Sequence, residues 1–169
     1  MASNSISRAL RELRGAVLPL VKGYLLQQGA VALSEYYNRY LQPNTKPDRK
    51  SKKTKALYYS QPNTTDRLRT LYGNIQRAIT PDGRNKGNIT EIETTRTEVV
   101  LSSGIDLDAK VKAGPYQTTL FYAQVHELGL GGQRPRPFLE PGIRDFNKEE
   151  MPRILENIAD DLRNYYNGR

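Results

Sequence analysis

Apolar side chains recur at Ile6, Leu10, Leu13, Val17, Leu20, Tyr24 and Val31, mostly in steps of three or four. That spacing lines one face of a helix. Ser5 or Ser7 can cap it by accepting from an exposed backbone N–H. Pro19 should kink the helix or restart it as a first-turn residue. The pattern runs on through SEYYNRYLQ to about Leu41. A stripe this long calls for a packing partner, either the chain's own sheet or a neighbouring subunit.

Residues 43–55, PNTKPDRKSKKTK, break the pattern. Six of their last ten residues are basic, and no aliphatic side chain accompanies them. Such a stretch buries too little apolar area to fold alone, so a mobile basic loop or arm is expected at about 43–60. Leu68, Leu71, Tyr72, Ile75 and Ile79 then form a short amphipathic stripe, with Thr65 or Asp66 as its cap. TPDGRNKGN is turn chemistry. Beyond it the period changes to a partial alternation rich in Ile, Val and Thr. Strands are expected at about 89–95, 97–103, 109–113 and 116–122. Met151, Ile154, Leu155, Ile158, Leu162 and Tyr165 share a face of a last helix, about 147–166, with Glu149 and Glu150 in its first turn. The predicted fold is α+β in a single domain, 1–169. It has a long N-terminal helix, a short helix, a small mainly antiparallel sheet of three to four strands, and a C-terminal amphipathic helix.

Composition sharpens this picture. At 37% apolar residues and no tryptophan, the core is small for 169 residues, and part of the chain is expected to order against a partner. With no cysteine, disulfides and thiolate metal sites are excluded. No contiguous apolar run reaches the roughly 18 residues of a membrane span, and the start lacks a signal-peptide apolar region. Assembly from the cytosol, without a membrane, is therefore expected. The net charge of +8 is uneven: residues 1–100 carry 17 basic and 8 acidic side chains, residues 101–169 carry 9 and 10. A basic half beside a neutral one is suited to meet a polyanion on one side.

The candidate chemistry gathers in FYAQVHELGLGGQRPRPFLEPGI, residues 121–143. His126-Glu127 opens like a zinc-protease motif, but Leu130 stands where the second histidine belongs, and His126 is the only histidine. That also removes Ser-His catalysis. Gly129, Gly131 and Gly132 fit neither phosphate-loop pattern, since no Gly-Lys-Ser/Thr follows and position 134 is Arg. A turned or flexible loop is the simpler account. Asp106 and Asp108 lack the ligand series of a calcium loop and fit a turn. No catalytic constellation or cofactor site emerges, so an enzyme is not expected. Tyr36, Tyr37, Tyr40, Tyr58 and Tyr59 flank the basic arm. Rings among cations can stack on bases, and they can anchor a protein interface. The interface reading is preferred, because 36, 37 and 40 lie on a helix that needs a partner.

Taken together, Tyr122-Ala123-x-x-His126-Glu127-x-Gly129, a glycine-rich gap, and Arg136-Pro137-Phe138-Leu139-x-Pro141-Gly142 resemble the tailed-bacteriophage neck and tail-completion (head–tail joining) proteins. That family pattern is an aromatic-Ala strand end with Glu and Gly, a variable loop, Arg-Pro-Phe-Leu-x-Pro-Ala and a final helix. Gly142 departs from it, standing in place of Ala. The order of elements is similar over most of the chain; the specific residues match over about 122–143. Pro135, Pro137 and Pro141 stiffen the segment. Phe138 and Leu139 then fasten the last helix to the sheet or insert into a neighbouring subunit. Glu127 is placed to pair with Arg136 across the loop.

The resemblance implies a non-enzymatic virion protein, assembled in the host cytoplasm, without cofactor or metal. It implies a homo-oligomeric ring, a hexamer or dodecamer, joining portal or connector proteins to tail terminator or tail-tube proteins. Double-stranded DNA would pass through the lumen without sequence specificity. Lys46, Arg49, Lys50, Lys52, Lys53 and Lys55 would then face DNA or an acidic partner. The alternative is a stand-alone basic nucleic-acid-binding protein using residues 43–59.

Overall fold

The computed structural model describes residues 2–42, 49–50, 57–58, 67–69, 73–81, 87–113 and 116–168; at 2–10, 49–50, 57–58, 69, 113 and 116 it describes backbone alone. The class is α+β. Helix α1 (Ala2–Tyr24) runs through a π turn, Leu25–Gly29, into α2 (Ala30–Asn38). Short bridges β1 (Leu41–Gln42), β2 (Arg49–Lys50), β3 (Leu57–Tyr58) and β4 (Leu68–Arg69) follow, then helix α3 (Asn74–Ile79). Strands β5 (Asn88–Thr94), β6 (Val99–Ile105), β7 (Lys110–Ala113) and β8 (Tyr116–Thr119) precede helices α4 (Phe121–Leu128), α5 (Leu139–Glu149) and α6 (Met151–Asn167).

Pro19 sits inside α1 without ending it, and Ser5 and Ser7 lie within the helix instead of capping it. The break in regular geometry comes later, at the π turn. A π turn inserts one extra residue and rotates everything after it. The buried face therefore steps from Leu25 to Gly29 and Ala30, then to Leu33, Tyr36 and Tyr37. Val31, which continues the simple stripe, is turned outward at 48% exposure, and Leu13 is 42% exposed. By length and composition alone the helix Arg11–Asn38 holds an 18-residue window apolar enough to cross a membrane, with a mean hydropathy of 1.2. Its second half nonetheless supplies Leu25, Ala30 and Leu33 to the interior of the domain.

The short helix is shorter than its stripe. Its described part begins at Asn74, after Gly73 at φ 66°, and Leu68 pairs in parallel with Leu41 instead; Leu71, Tyr72 and the expected caps Thr65 and Asp66 lie outside the described residues. The segment read as an unstructured arm is tied at one point, where Arg49 pairs with Tyr58 and Lys50 with Leu57.

The four later strands start within two residues of their expected positions, but as two separate antiparallel ribbons. In the first, Asn88 pairs with Ile105 and Thr94 with Val99. In the second, Lys110 pairs with Thr119 and Ala113 with Tyr116. Asp106 closes the turn between β6 and β7 by accepting from the Asp108 N–H at 3.0 Å. The last strand stops at Thr119. Residues 121–128, expected as a strand end, are helical. The C-terminal helix is two helices meeting at Glu150, so Glu149 ends α5 and Glu150 caps α6, in place of a shared first turn.

One core joins these elements: Tyr37, Leu41, Ile75, Ile79, Leu120, Phe138, Phe146 and Ile154 are among its buried members. A two-stranded ribbon is marginal by itself; here helices on its inner face supply the burial.

Candidate functional site

The motif residues of 121–143 converge on one junction. Leu120, at ψ 8°, turns the chain from β8 into α4. On that helix Ala123 is buried, and the Tyr122 phenol is raised above its ordinary pKa by burial, partly offset by the neighbouring Asn74 amide and Arg77 charge. Asn74 in turn accepts from Arg77 within α3. Gly129 ends α4 in the left-handed region at φ 69°. A Cβ there would lie 2.6 Å from the Pro135 ring, so Gly129 permits both the turn and the return of the chain. The Arg136 N–H donates to the His126 carbonyl at 2.7 Å and closes the loop. The His126 imidazole is pushed below its ordinary pKa, first by burial and then by the nearby Arg136 charge.

Glu127 carries the junction. Its Oε2 accepts from the Phe138 N–H at 2.7 Å and the Leu139 N–H at 3.2 Å, and its Oε1 from the Glu140 N–H at 3.0 Å. A helix leaves its first four N–H groups without intrahelical partners. In α5 the fourth of these positions is Pro141, which has no N–H to satisfy. One carboxylate from α4 therefore takes every free donor at the start of α5, where the helix dipole also favours negative charge. The expected Glu127–Arg136 ion pair does not form; backbone amides replace the guanidinium.

Phe138, fully buried, and half-buried Leu139 pack in the core of their own chain, which settles the two options left by the sequence in favour of fastening the last helices. Gly142 fixes how closely α5 approaches α2. A Cβ on it would sit 2.5 Å from Tyr37 Cδ1 and 3.1 Å from the Tyr37 backbone. Alanine, usual in the resembled pattern, does not fit this contact as it stands.

Tyr36 and Tyr37 are 3% and 0% exposed, so they are core residues and not the interface anchors expected. Among the described residues the Tyr37 hydroxyl has no hydrogen-bond partner; Ser103 lies near it without adequate geometry. Burial pushes this phenol up to about 12, and the Glu127 charge adds to the shift.

Further along the α2–α5 seam the ring edges are polar. The Tyr36 hydroxyl donates to Glu149 at 3.2 Å, and Arg39 pairs with Glu149 at 2.9 Å while stacking 3.7 Å over the Tyr36 ring. Tyr40, half-buried, donates to Asp145. The Tyr40 bond holds Asp145 below its ordinary pKa, and the Arg39 bond does the same for Glu149.

Among the other predicted contacts, Lys46, Lys52, Lys53, Lys55 and Tyr59 lie outside the described residues, and Arg49, Lys50 and Tyr58 are described in backbone only. Among the described residues no group of three or more His, Asp or Glu is gathered as for a metal ion. The arrangement is a mechanical joint: it holds two helices at fixed spacing through three backbone amides on the Glu127 carboxylate. The sequence signal for it was Glu-x-Gly followed by Phe-Leu-x-Pro, but the donors are 11 to 13 residues away, beyond any local capping pattern.

No family model, no curated protein and no solved structure matches this chain.

Proposed function

We propose that this chain is a structural protein of the tailed-phage neck, forming a ring between the head portal or connector and the tail. The reading rests on the resemblance at 122–143 and on one observation, the Glu127 cap. It makes the two halves of that motif a single unit, since the Glu of the first holds the Phe-Leu-x-Pro of the second. A motif used in this way serves shape, as an assembly component requires, and not turnover. The long N-terminal helix adds a second support, because Leu13, Leu26 and Val31 remain exposed for another subunit to cover.

DNA would cross the ring in contact with its basic first half, through phosphates and without base readout. Native mass spectrometry and electron microscopy of the purified chain test this. A closed ring of six or twelve copies is expected. A chain that stays monomeric at every concentration and is missing from purified virions sinks the reading. Salt-sensitive DNA binding by the monomer, abolished by neutralising Lys50, Lys52, Lys53 and Lys55, would favour the stand-alone nucleic-acid-binding alternative.

A further inference from the structure

A groove of about 470 Å³ lies between α1 and the tip of the β5–β6 ribbon. Leu13, Val17 and Leu18 form its apolar floor, and Arg11, Arg14 and Arg96 edge it. Arg96 is presented by a well-made turn. The Thr95 N–H donates to the Glu98 carbonyl at 2.9 Å, and the Thr95 hydroxyl oxygen accepts from the Thr97 and Glu98 N–H groups at 3.3 and 3.1 Å.

The other side of the same ribbon has the opposite character. Ile89 and Val100 are 41% and 43% exposed there, with exposed Glu91 and Glu93 beside them. Pairing of Glu93 with Val100 and of Ile89 with Gly104 keeps these side chains on one face. One subunit thus offers an apolar floor edged by guanidiniums and, separately, an apolar strip edged by carboxylates.

Resting on the ring reading above, we propose that the arginine-edged groove of one copy receives the outward face of the β5–β6 ribbon of the next copy. The two surfaces differ, so the contact is head-to-tail. Head-to-tail contacts close into rings when the rotation permits, and opposite charge around an apolar centre sets register and encounter rate. Salt should weaken the association.

The test is charge reversal in the full chain, read by mass photometry. R14E/R96E alone and E91R/E93R alone should each weaken association by at least about tenfold, since like charges then face each other. An equal mixture of the two variants should recover association by alternation, since each reversed groove then meets a reversed ribbon and each native groove a native one, and the four-fold variant alone should recover it to within about threefold. All four sites are exposed, and circular dichroism checks that each variant folds.

A second measurement is independent of charge. The chain has no cysteine, so copies carrying L13C and copies carrying V100C should form a mixed disulfide only if the two faces meet. If the unaltered chain assembles but the reversals and the cysteines are silent, the groove proposal is overturned while the ring reading stands. If the unaltered chain never assembles, the groove proposal falls, and the ring reading falls with it when the chain is also missing from purified virions. If it stays monomeric but floats with phosphatidylcholine–phosphatidylglycerol vesicles, and R14E/R96E abolishes this, the groove faces lipid and the proposal is overturned.

Discussion

The two halves of the helix from Ala2 to Asn38 are used in opposite ways. Past the π turn, α2 is clamped: Gly142 of α5 lies against Tyr37, Phe146 meets the Tyr36 ring edge-on at 5.8 Å, and Glu149 and Asp145 take the polar ends of the seam. Before the turn, the described part of α1 is half-buried at best, and Leu13 is exposed. One segment supplies the fold and the other supplies surface. The π turn separates them, because it rotates the apolar stripe away from the line that α1 sets. A small core with exposed apolar side chains on the helix before it suits the assembly role proposed above: stability from a few well-made contacts, and apolar area left for neighbours.

The clamped half should respond most strongly to substitution. Removing the fully buried ring in Phe138→Ala should cost about 3–5 kcal/mol in urea unfolding and take assembly with it. Gly142→Ala comes next. Its methyl group must displace a buried ring and backbone, so a loss of about 1–3 kcal/mol is expected; an unchanged urea midpoint would mean that the α2–α5 approach is looser than described. Glu127→Gln keeps the shape but replaces one acceptor oxygen with an amide that faces an N–H. A loss of about 1–2 kcal/mol is expected, with faster amide exchange at 138–140.

Tyr37 sharpens the comparison through pH. Its folded pKa, about 12, lies above the ordinary value of 10. The phenol must stay neutral in the fold, so this contribution is complete below pH 10 and is lost as pH rises towards 12. Its full size is roughly 2–3 kcal/mol. Tyr37→Phe should remove that part of the alkaline decline without loss at neutral pH, since the hydroxyl has no partner to lose. A stability–pH curve above 10 that is identical in the two proteins would contradict this. The smallest effect on folding should come from the exposed half. Leu13→Asp should change the unfolding free energy by less than about 0.5 kcal/mol and still abolish assembly.

Much of this architecture was legible in the sequence, because it follows from periodicity. The long helix, both ribbons and the amphipathic C-terminal region were all marked by regular spacing. What escaped depends on contacts between distant residues. Tyr122 to Leu128 follow a β-branched, aromatic run, and nothing local shows that β8 yields to a helix at Leu120. One extra residue in the π turn reverses the assignment of Tyr36 and Tyr37 from interface to core. Glu127 was singled out, but its partners were backbone amides, which carry no sequence signature. The break at Glu150 did have a signal, Pro152 in the first turn of α6, which is acceptable only near a helix start and so sets that start later than 147.

Hydrogen–deuterium exchange on the full chain, compared below and above its assembly concentration, tests the division most directly. The account predicts new protection at 13–18, 89–93 and 96–100, and none at 121–142, where the joint is already closed in one copy. New protection confined to 121–142, or none at 13–18 once the chain has assembled, would contradict it.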